Sequence, residues 1–240
     1  MFSLKQEKCS LKRLQSILDI TEDDLDIIKS RETPFIYLID LTNFDVDIKF
    51  TEILIEEEIE RCNKFKFKGD KQRFTINRMI IRIVVGRLLH KHPKNVGISY
   101  NYYGKPYIDD KYKLEFNISH SEEYIAIAFC KNKVGIDVEF MKKDIDYLEI
   151  VKSYFDEEEF KQLMKLNDND RLLCFYQLWV AKESYIKAIG YGLSYSIKKV
   201  VIPNITYGKN LLIDKKSGKK ICVEVFKIDE NYVGSIVYIR

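Results

Sequence analysis

Residues 121–129, SEEYIAIAF, are echoed by residues 229–237, DENYVGSIV, with Tyr124 standing opposite Tyr232. Both read as strands of bulky and branched side chains, and each follows a long helical pattern by a similar interval. Working outward from either copy gives the same order. PFIYLIDL (34–41) reads as a strand. An apolar pattern at three- and four-residue spacing then runs from about Thr51 to Lys91, through FTINRMIIRIVVGRLLHK. Short strands follow at NVGISYNYYGKPYI and KLEFNIS, then EYIAIAFCKNKVGIDVEF. A second helical stretch covers about 156–190, and the strands KKICVEVFKI and NYVGSIVYI close the chain. Strands grouped around a helix, twice over, indicate a duplicated α+β architecture rather than a doubly wound sheet. The seam between two such halves is the natural place for a ligand. Residues 1–33 read as a polar, helix-prone extension ending at the punctuation of RETP.

The chain has 240 residues, enough for one large domain or two small ones with a full core. Its formal net charge is +3, which suits an anionic ligand or acidic partner and falls far short of a nucleic-acid-binding signature. The five cysteines are scattered without a C-x-x-C pair, the pattern of buried thiols in a reducing compartment. MFSLKQEKCS lacks the apolar run of a signal peptide, and no segment approaches the roughly 20 apolar residues of a membrane span. The expectation is a soluble, cytoplasmic protein that engages neither membrane nor nucleic acid.

Chemistry concentrates in four stretches. On a strand KVGIDVEF (133–140), Asp137 and Glu139 share one face and Ile136 and Val138 the other. Two such carboxylates suit a hard divalent ion such as Mg²⁺, held together with substrate phosphates; the alternative is a solvated acidic edge. In LWVAKESYIKAIGYGL (178–193), Trp179, Glu183 and Lys187 fall on one helical stripe with Lys182 at its border. A third acid beside a base can complete a metal site and meet phosphate oxygens, whereas an exposed Glu–Lys pair contributes only about 0.2–0.5 kcal/mol. Gly190 and Gly192 then permit a tight exit. FNISHS (116–121) puts Asn117, Ser119 and His120 in a turn at the end of an apolar strand, where a Ser-His step suits holding phosphate, and YGKPYI (103–108) sets Lys105 in a turn. Arg61, Lys64, Lys66, Lys68, Lys71 and Arg73 form either a solvated basic face or an anion-binding rim. His90 and His92 have no accompanying His/Cys set for zinc. The phosphate loop, the dinucleotide fingerprint and the nucleophile elbow are all missing, which excludes kinase, P-loop and serine-hydrolase chemistry of those types.

Taken in this order, GKP (104–106), NISH (117–120), GIDVE (135–139) and WVAKESYIKAIGYGL (179–193) resemble the 4′-phosphopantetheinyl transferases of the Sfp type. The likeness runs from about Pro34 to the C-terminus. It implies a pseudo-twofold pair of α+β halves, each a long helix on a small, mostly antiparallel sheet, dividing the chain into 1–33, 34–132 and 133–240. The implied reaction moves the phosphopantetheine arm of coenzyme A onto a serine of an acyl, peptidyl or aryl carrier protein and releases adenosine 3′,5′-bisphosphate. By the same resemblance Asp137, Glu139 and Glu183 converge on Mg²⁺ (or Mn²⁺), and Glu183 accepts the serine proton. Lys187 and Lys182 meet phosphate. Ser119, His120, Lys105 and Pro106 line the coenzyme A site, with Arg61, Lys68 and Arg73 toward the 3′-phosphate. The long two-half form implies a monomer. A catalytically silent coenzyme A or carrier-binding module and another metal-dependent phosphoester enzyme are the competing readings. A surface near Gly190–Leu193, with Tyr191 and Leu193 as its apolar part, is the expected carrier-docking region.

Overall fold

The computed structural model describes residues 9–45, 52–202, 205, 207–213 and 219–240. The first half contains Ser10–Leu14 (β1), Glu22–Ser30 (α1), Phe35–Asp40 (β2), Glu56–Asn63 (α2) and Lys68–Leu88 (α3). It continues with a small hairpin, Ser99–Tyr100 (β3) and Pro106–Tyr107 (β4), and with Glu115–Ser121 (β5) and Tyr124–Cys130 (β6). The second half contains Lys133–Phe140 (β7), Tyr147–Tyr154 (α4), Glu157–Met164 (α5), Asp168–Ile189 (α6), Gly208–Ile213 (β8), Lys220–Lys227 (β9) and Tyr232–Ile239 (β10).

The sheets have the orders β1-β2-β6-β5 and β7-β10-β9-β8, antiparallel throughout except for β1 on β2. This is the α+β architecture of two similar halves. Strand alternation builds its layers. Phe35, Tyr37 and Ile39 face α3, while Ile36 and Leu38 face the other way, onto Val134, Ile136, Val138 and Ile236 of the second sheet. Val223, Val225, Val233 and Val237 carry α6. Each large aliphatic buried in this way stabilises the fold by about 1.5–3 kcal/mol. The two repeat tyrosines meet edge to face, ring centroids 4.7 Å apart. Equivalent residues touch one another only beside the axis that relates them, so Tyr124 and Tyr232 mark the pseudo-twofold.

Three elements differ from the sequence expectation. Residues 10–33 are no polar extension: β1 pairs in register with β2, and Leu14, Ile17, Ile20, Leu25 and Ile28 enter the first-half core. Five residues of SLKRL are too few to reveal a strand by alternation. Met1–Lys8 lie outside the described residues. The first helical stretch is two helices, broken around Lys64–Phe67 where Phe65 packs on Phe74 with centroids 5.4 Å apart; Thr51 lies outside the described residues. The second stretch is likewise α5 and α6, divided at Asn167, whose side chain accepts from Asp170 N and caps α6.

Candidate active site

Gly135 brings the site together. A Cβ built there would lie 2.0 Å from Ser184 O and 2.3 Å from Ala188 N, so the backbone of α6 rests directly on β7. Ser184, small and buried, folds its hydroxyl back onto Val180 O at 2.6 Å. This contact lays Glu183 and Lys187 beside Asp137. Lys187 Nζ lies 2.6 Å from Asp137 Oδ1 and 2.9 Å from Ser119 Oγ. Gly190, with φ +77°, ends the helix immediately beyond.

β7 pairs with β10 along one edge only. Its other edge would leave backbone donors buried and unpaired. Side chains of β5 satisfy them instead. Ile136 N donates to Asn117 Oδ1 (2.9 Å), Val138 N to Ser119 Oγ (3.3 Å) and Phe140 N to Ser121 Oγ (3.0 Å). The serines then donate onward, Ser119 to Asp137 Oδ1 and Ser121 to Glu139 Oε2, each at 2.9 Å. Ser119 thereby uses its one hydrogen and both lone pairs. It lies beneath a carboxylate instead of reaching out to phosphate as expected.

The electrostatics are those of carboxylates crowded out of water. Burial pushes Glu139 up to about 7, Asp137 and Glu183 push in the same direction, and Ser121 and Lys187 oppose them. Glu183 is raised as well, by burial and then by Asp137, against Lys187. Asp137 Oδ2 is buried and has no hydrogen-bond partner, an arrangement native structures keep only for a reason. The expected convergence of Asp137, Glu139 and Glu183 is not formed as a closed metal cage. Among the described residues no three His, Cys, Asp or Glu side chains are gathered closely enough to hold an ion. Lys187 occupies one oxygen of Asp137, and Ser121 holds Glu139.

The other expected site residues divide. His120 is exposed; desolvation of its ring, with Arg73 and Lys187 nearby, lowers its pKa against Asp70 and Asp137. Arg73 bonds Asp70 (2.7 Å) and the carbonyl of Glu122 in the β5–β6 turn (3.3 Å), which puts it at the rim beside His120. Lys68 is exposed at the head of α3. Arg61 turns to Tyr100 OH at 2.9 Å, a hydroxyl that also receives Arg78. Lys105 clamps the β3–β4 hairpin to the C-terminal end of α6, donating to Val134 O (3.0 Å) and Ala188 O (3.4 Å). Burial brings its pKa down to about 8, against Glu115 and with Lys133. With Asn101, Tyr107, Glu115, Lys133 and Gly190 it lines a cleft of about 270 Å³, and Pro106 opens β4 alongside.

Lys182 is a correction. It is fully buried on the opposite flank of α6, 2.6 Å from Glu159 and over the Phe155 ring, and it donates to Val200 O. It ties α5 and α6 to the following segment and does not face the carboxylates. Trp179 packs on Phe175 and Tyr154, as its place in an apolar pattern requires. Sequence reasoning gave no role to Gly135 and Asn117, which it quoted only as members of GIDVE and NISH, or to Ser121; a signal for the two polar residues was the alternation N-x-S-x-S inside an apolar strand. Tyr191 is exposed and packs against Tyr103, whereas the side chain of Leu193 lies outside the described residues.

Known proteins resemble this chain along most of its length. Residues 133–237 match the family model described as the 4′-phosphopantetheinyl transferase superfamily, and residues 45–132 match that of the 4′-phosphopantetheinyl transferase N-terminal region. The 4′-phosphopantetheinyl transferase Sfp of Bacillus subtilis (strain 168) is 30% identical over 184 residues, which cover 77% of this chain and 81% of that protein. A second Bacillus subtilis 4′-phosphopantetheinyl transferase is 32% identical over 177 residues, 73% of this chain and 78% of its own. A putative 4′-phosphopantetheinyl transferase of Synechocystis is 34% identical over 155 residues, and the match spans 63% of each chain.

Proposed function

Because the chain belongs to the 4′-phosphopantetheinyl transferase family, we propose that it transfers the phosphopantetheine arm of coenzyme A to a serine of an acyl, peptidyl or aryl carrier protein. Adenosine 3′,5′-bisphosphate is the second product. The observation that carries this reading is the unpartnered, buried Oδ2 of Asp137, flanked by Lys187 and by two carboxylates of raised pKa. Such a constellation is matched to a cation and to phosphate oxygens.

An all-oxygen, carboxylate donor set fits Mg²⁺, which is ordinarily held by one or two carboxylates plus substrate phosphates and needs no closed protein cage. Asp137 and Glu139 would hold it, with Glu183 at its border. When bound, the ion neutralises pyrophosphate charge and orients the phosphate under attack. The chain's own groups do the rest. The carrier serine loses its proton to Glu183 as its oxygen bonds to the β-phosphorus of coenzyme A. The bond from that phosphorus to the bridging oxygen breaks, and the α-phosphate leaves within the bisphosphate. Lys187, one turn beyond Glu183, balances the charge that grows on the departing oxygens. Glu183, raised by burial above the usual carboxylate range, is the stronger proton acceptor for it. Arg73 supplies positive charge at the rim and His120 a ring N–H donor beside it, while Lys105 and Pro106 border the cleft toward the nucleotide. Arg61, bonded to Tyr100, and Lys68, exposed at the head of α3, are the cations we assign to the 3′-phosphate.

We assign the enzyme to the cytoplasm as a monomer; no described helix is long and apolar enough to cross a membrane. The test is incubation with coenzyme A, Mg²⁺ and an apo carrier protein. A mass gain of one phosphopantetheine on the carrier serine is expected. Binding of coenzyme A without transfer would instead identify a silent module, and release of phosphate alone a phosphoester hydrolase.

A further inference from the structure

The hydroxyl of Ser121 serves two elements at once. It accepts the backbone N–H of Phe140 at 3.0 Å and donates to Glu139 Oε2 at 2.9 Å. Ser119 repeats the arrangement two residues earlier with Val138 N and Asp137 Oδ1. Asn117, the third rung, accepts Ile136 N at 2.9 Å, and the residue preceding Ile136 is Gly135, so that rung has no carboxylate above it. The ladder therefore docks β7 at three points and steers a carboxylate at two of them.

A serine hydroxyl has one hydrogen to give. With a lone pair filled by a fixed backbone N–H, that hydrogen is directed along one line, and the carboxylate receiving it is fixed in turn. We infer that Ser121 is the positioning residue for Glu139, and Ser119 for Asp137, in the metal-dependent transfer. The inference rests on the proposed reading of those two carboxylates as metal-binding. It assigns to the first half of the molecule a stated job: β5 supplies no ligand of its own but aims the ligands of β7. Serine at both rungs is the small residue that accepts from a backbone and donates to a carboxylate within a single atom.

Asn117 separates docking from aiming, which makes the idea testable in the full chain. Ser121→Ala, Ser121→Thr and Asn117→Ala would be compared by thermal unfolding and by calorimetric titration of coenzyme A with and without Mg²⁺, in the absence of any carrier. Carrier loading as a function of Mg²⁺ would be measured alongside. Both alanine variants lose a rung and are expected to melt a few degrees lower by similar amounts. Only Ser121→Ala should lose the Mg²⁺-dependent part of coenzyme A binding and need about tenfold more Mg²⁺ for half-maximal rate, with the KM for carrier unchanged. Ser121→Thr, which keeps the hydroxyl, should restore both. Equal Mg²⁺ dependence in Ser121→Ala and Asn117→Ala would overturn the inference, as would a folded Ser121→Thr that fails to recover. If the unaltered chain loaded no carrier at all, the functional reading itself would fall, a result distinct from either.

Discussion

Gly135→Ala tests whether the close approach of α6 to β7 makes the site. The added methyl carbon would lie 2.0 Å from Ser184 O, 2.3 Å from Ala188 N and 2.9 Å from the carbonyl carbon of Lys187. All three are backbone atoms, so no side chain can swing aside. Restoring ordinary contact at about 3.4 Å requires the helix to back away by roughly 1.4 Å at Ser184. Overpacking a core by a methyl typically costs about 1–3 kcal/mol, and a backbone clash belongs at the upper end. At about 2–4 °C per kcal/mol for a chain of this size, the melting temperature should fall by roughly 6–12 °C. Activity should suffer more than stability. Glu183 and Lys187 bracket the displaced Ser184, and a misplacement of about 1 Å can cost about 10²-fold in rate. The assay is carrier loading well below the variant's melting temperature, with Gly97→Ala as control, because nothing lies within 4 Å of a Cβ at Gly97. A Gly135→Ala enzyme that melts and turns over like its parent would refute the packing argument.

Glu183→Gln should leave the fold intact and reduce turnover at least about 10²-fold; normal turnover would remove Glu183 from the reaction. Lys182→Met should strand Glu159 in the core and destabilise the protein by about 3–5 kcal/mol, yet leave the KM for coenzyme A unchanged below its melting temperature. A raised KM there would return Lys182 to the phosphates. Stability without metal should fall as pH rises from 5 to 8. Glu139 is protonated in the folded state up to about 7, so below its unfolded value near 4.5 its contribution is complete, and it is lost as pH climbs through 7. The size is at most about 3 kcal/mol. Chemical unfolding in chelator across that window measures it, and Glu139→Gln should flatten the slope; a flat profile in the parent would contradict the burial argument.

What could be read from the sequence was whatever repeats locally. Alternation put Asp137 and Glu139 on one face, and both do face α6. Helical spacing put Glu183 and Lys187 on one stripe, and both address Asp137. The same spacing misled at Lys182. A helical wheel gives an azimuth but not what stands there, and at the azimuth of Lys182, about 100° from Glu183, stands Glu159 of α5, 23 residues before Lys182 in the chain. Asn117, Ser119 and His120 were expected in a turn but lie within β5, paired to β6, and the Ser119 hydroxyl is spent between Val138, Asp137 and Lys187. None of those partners is its neighbour in sequence, so no local pattern discloses them.

The duplication poses a sharper question: why do two similar halves carry one site? Sheet register answers it. Matching Tyr124 to Tyr232 aligns Phe35, Tyr37 and Ile39 of β2 with Gly135, Asp137 and Glu139 of β7. The aligned first-half positions are hydrophobic and buried under α3, so none of the three is an acid to aim. The same register sets Glu224, Phe226 and Ile228 where Asn117, Ser119 and Ser121 stand. Those residues would face the free edge of β2, but β1 has already taken that edge with its own backbone. One of the mirrored contacts survives and now serves the N-terminal segment: Glu224 Oε2 accepts from Cys9 N at 3.3 Å, while Ile228, with no polar side chain, offers its backbone carbonyl to Arg13 at 2.6 Å. An edge strand therefore closes in the first half what polar side chains hold open in the second. Only the edge satisfied by side chains keeps hydroxyls beside carboxylates, and that is the edge on which the single site is built.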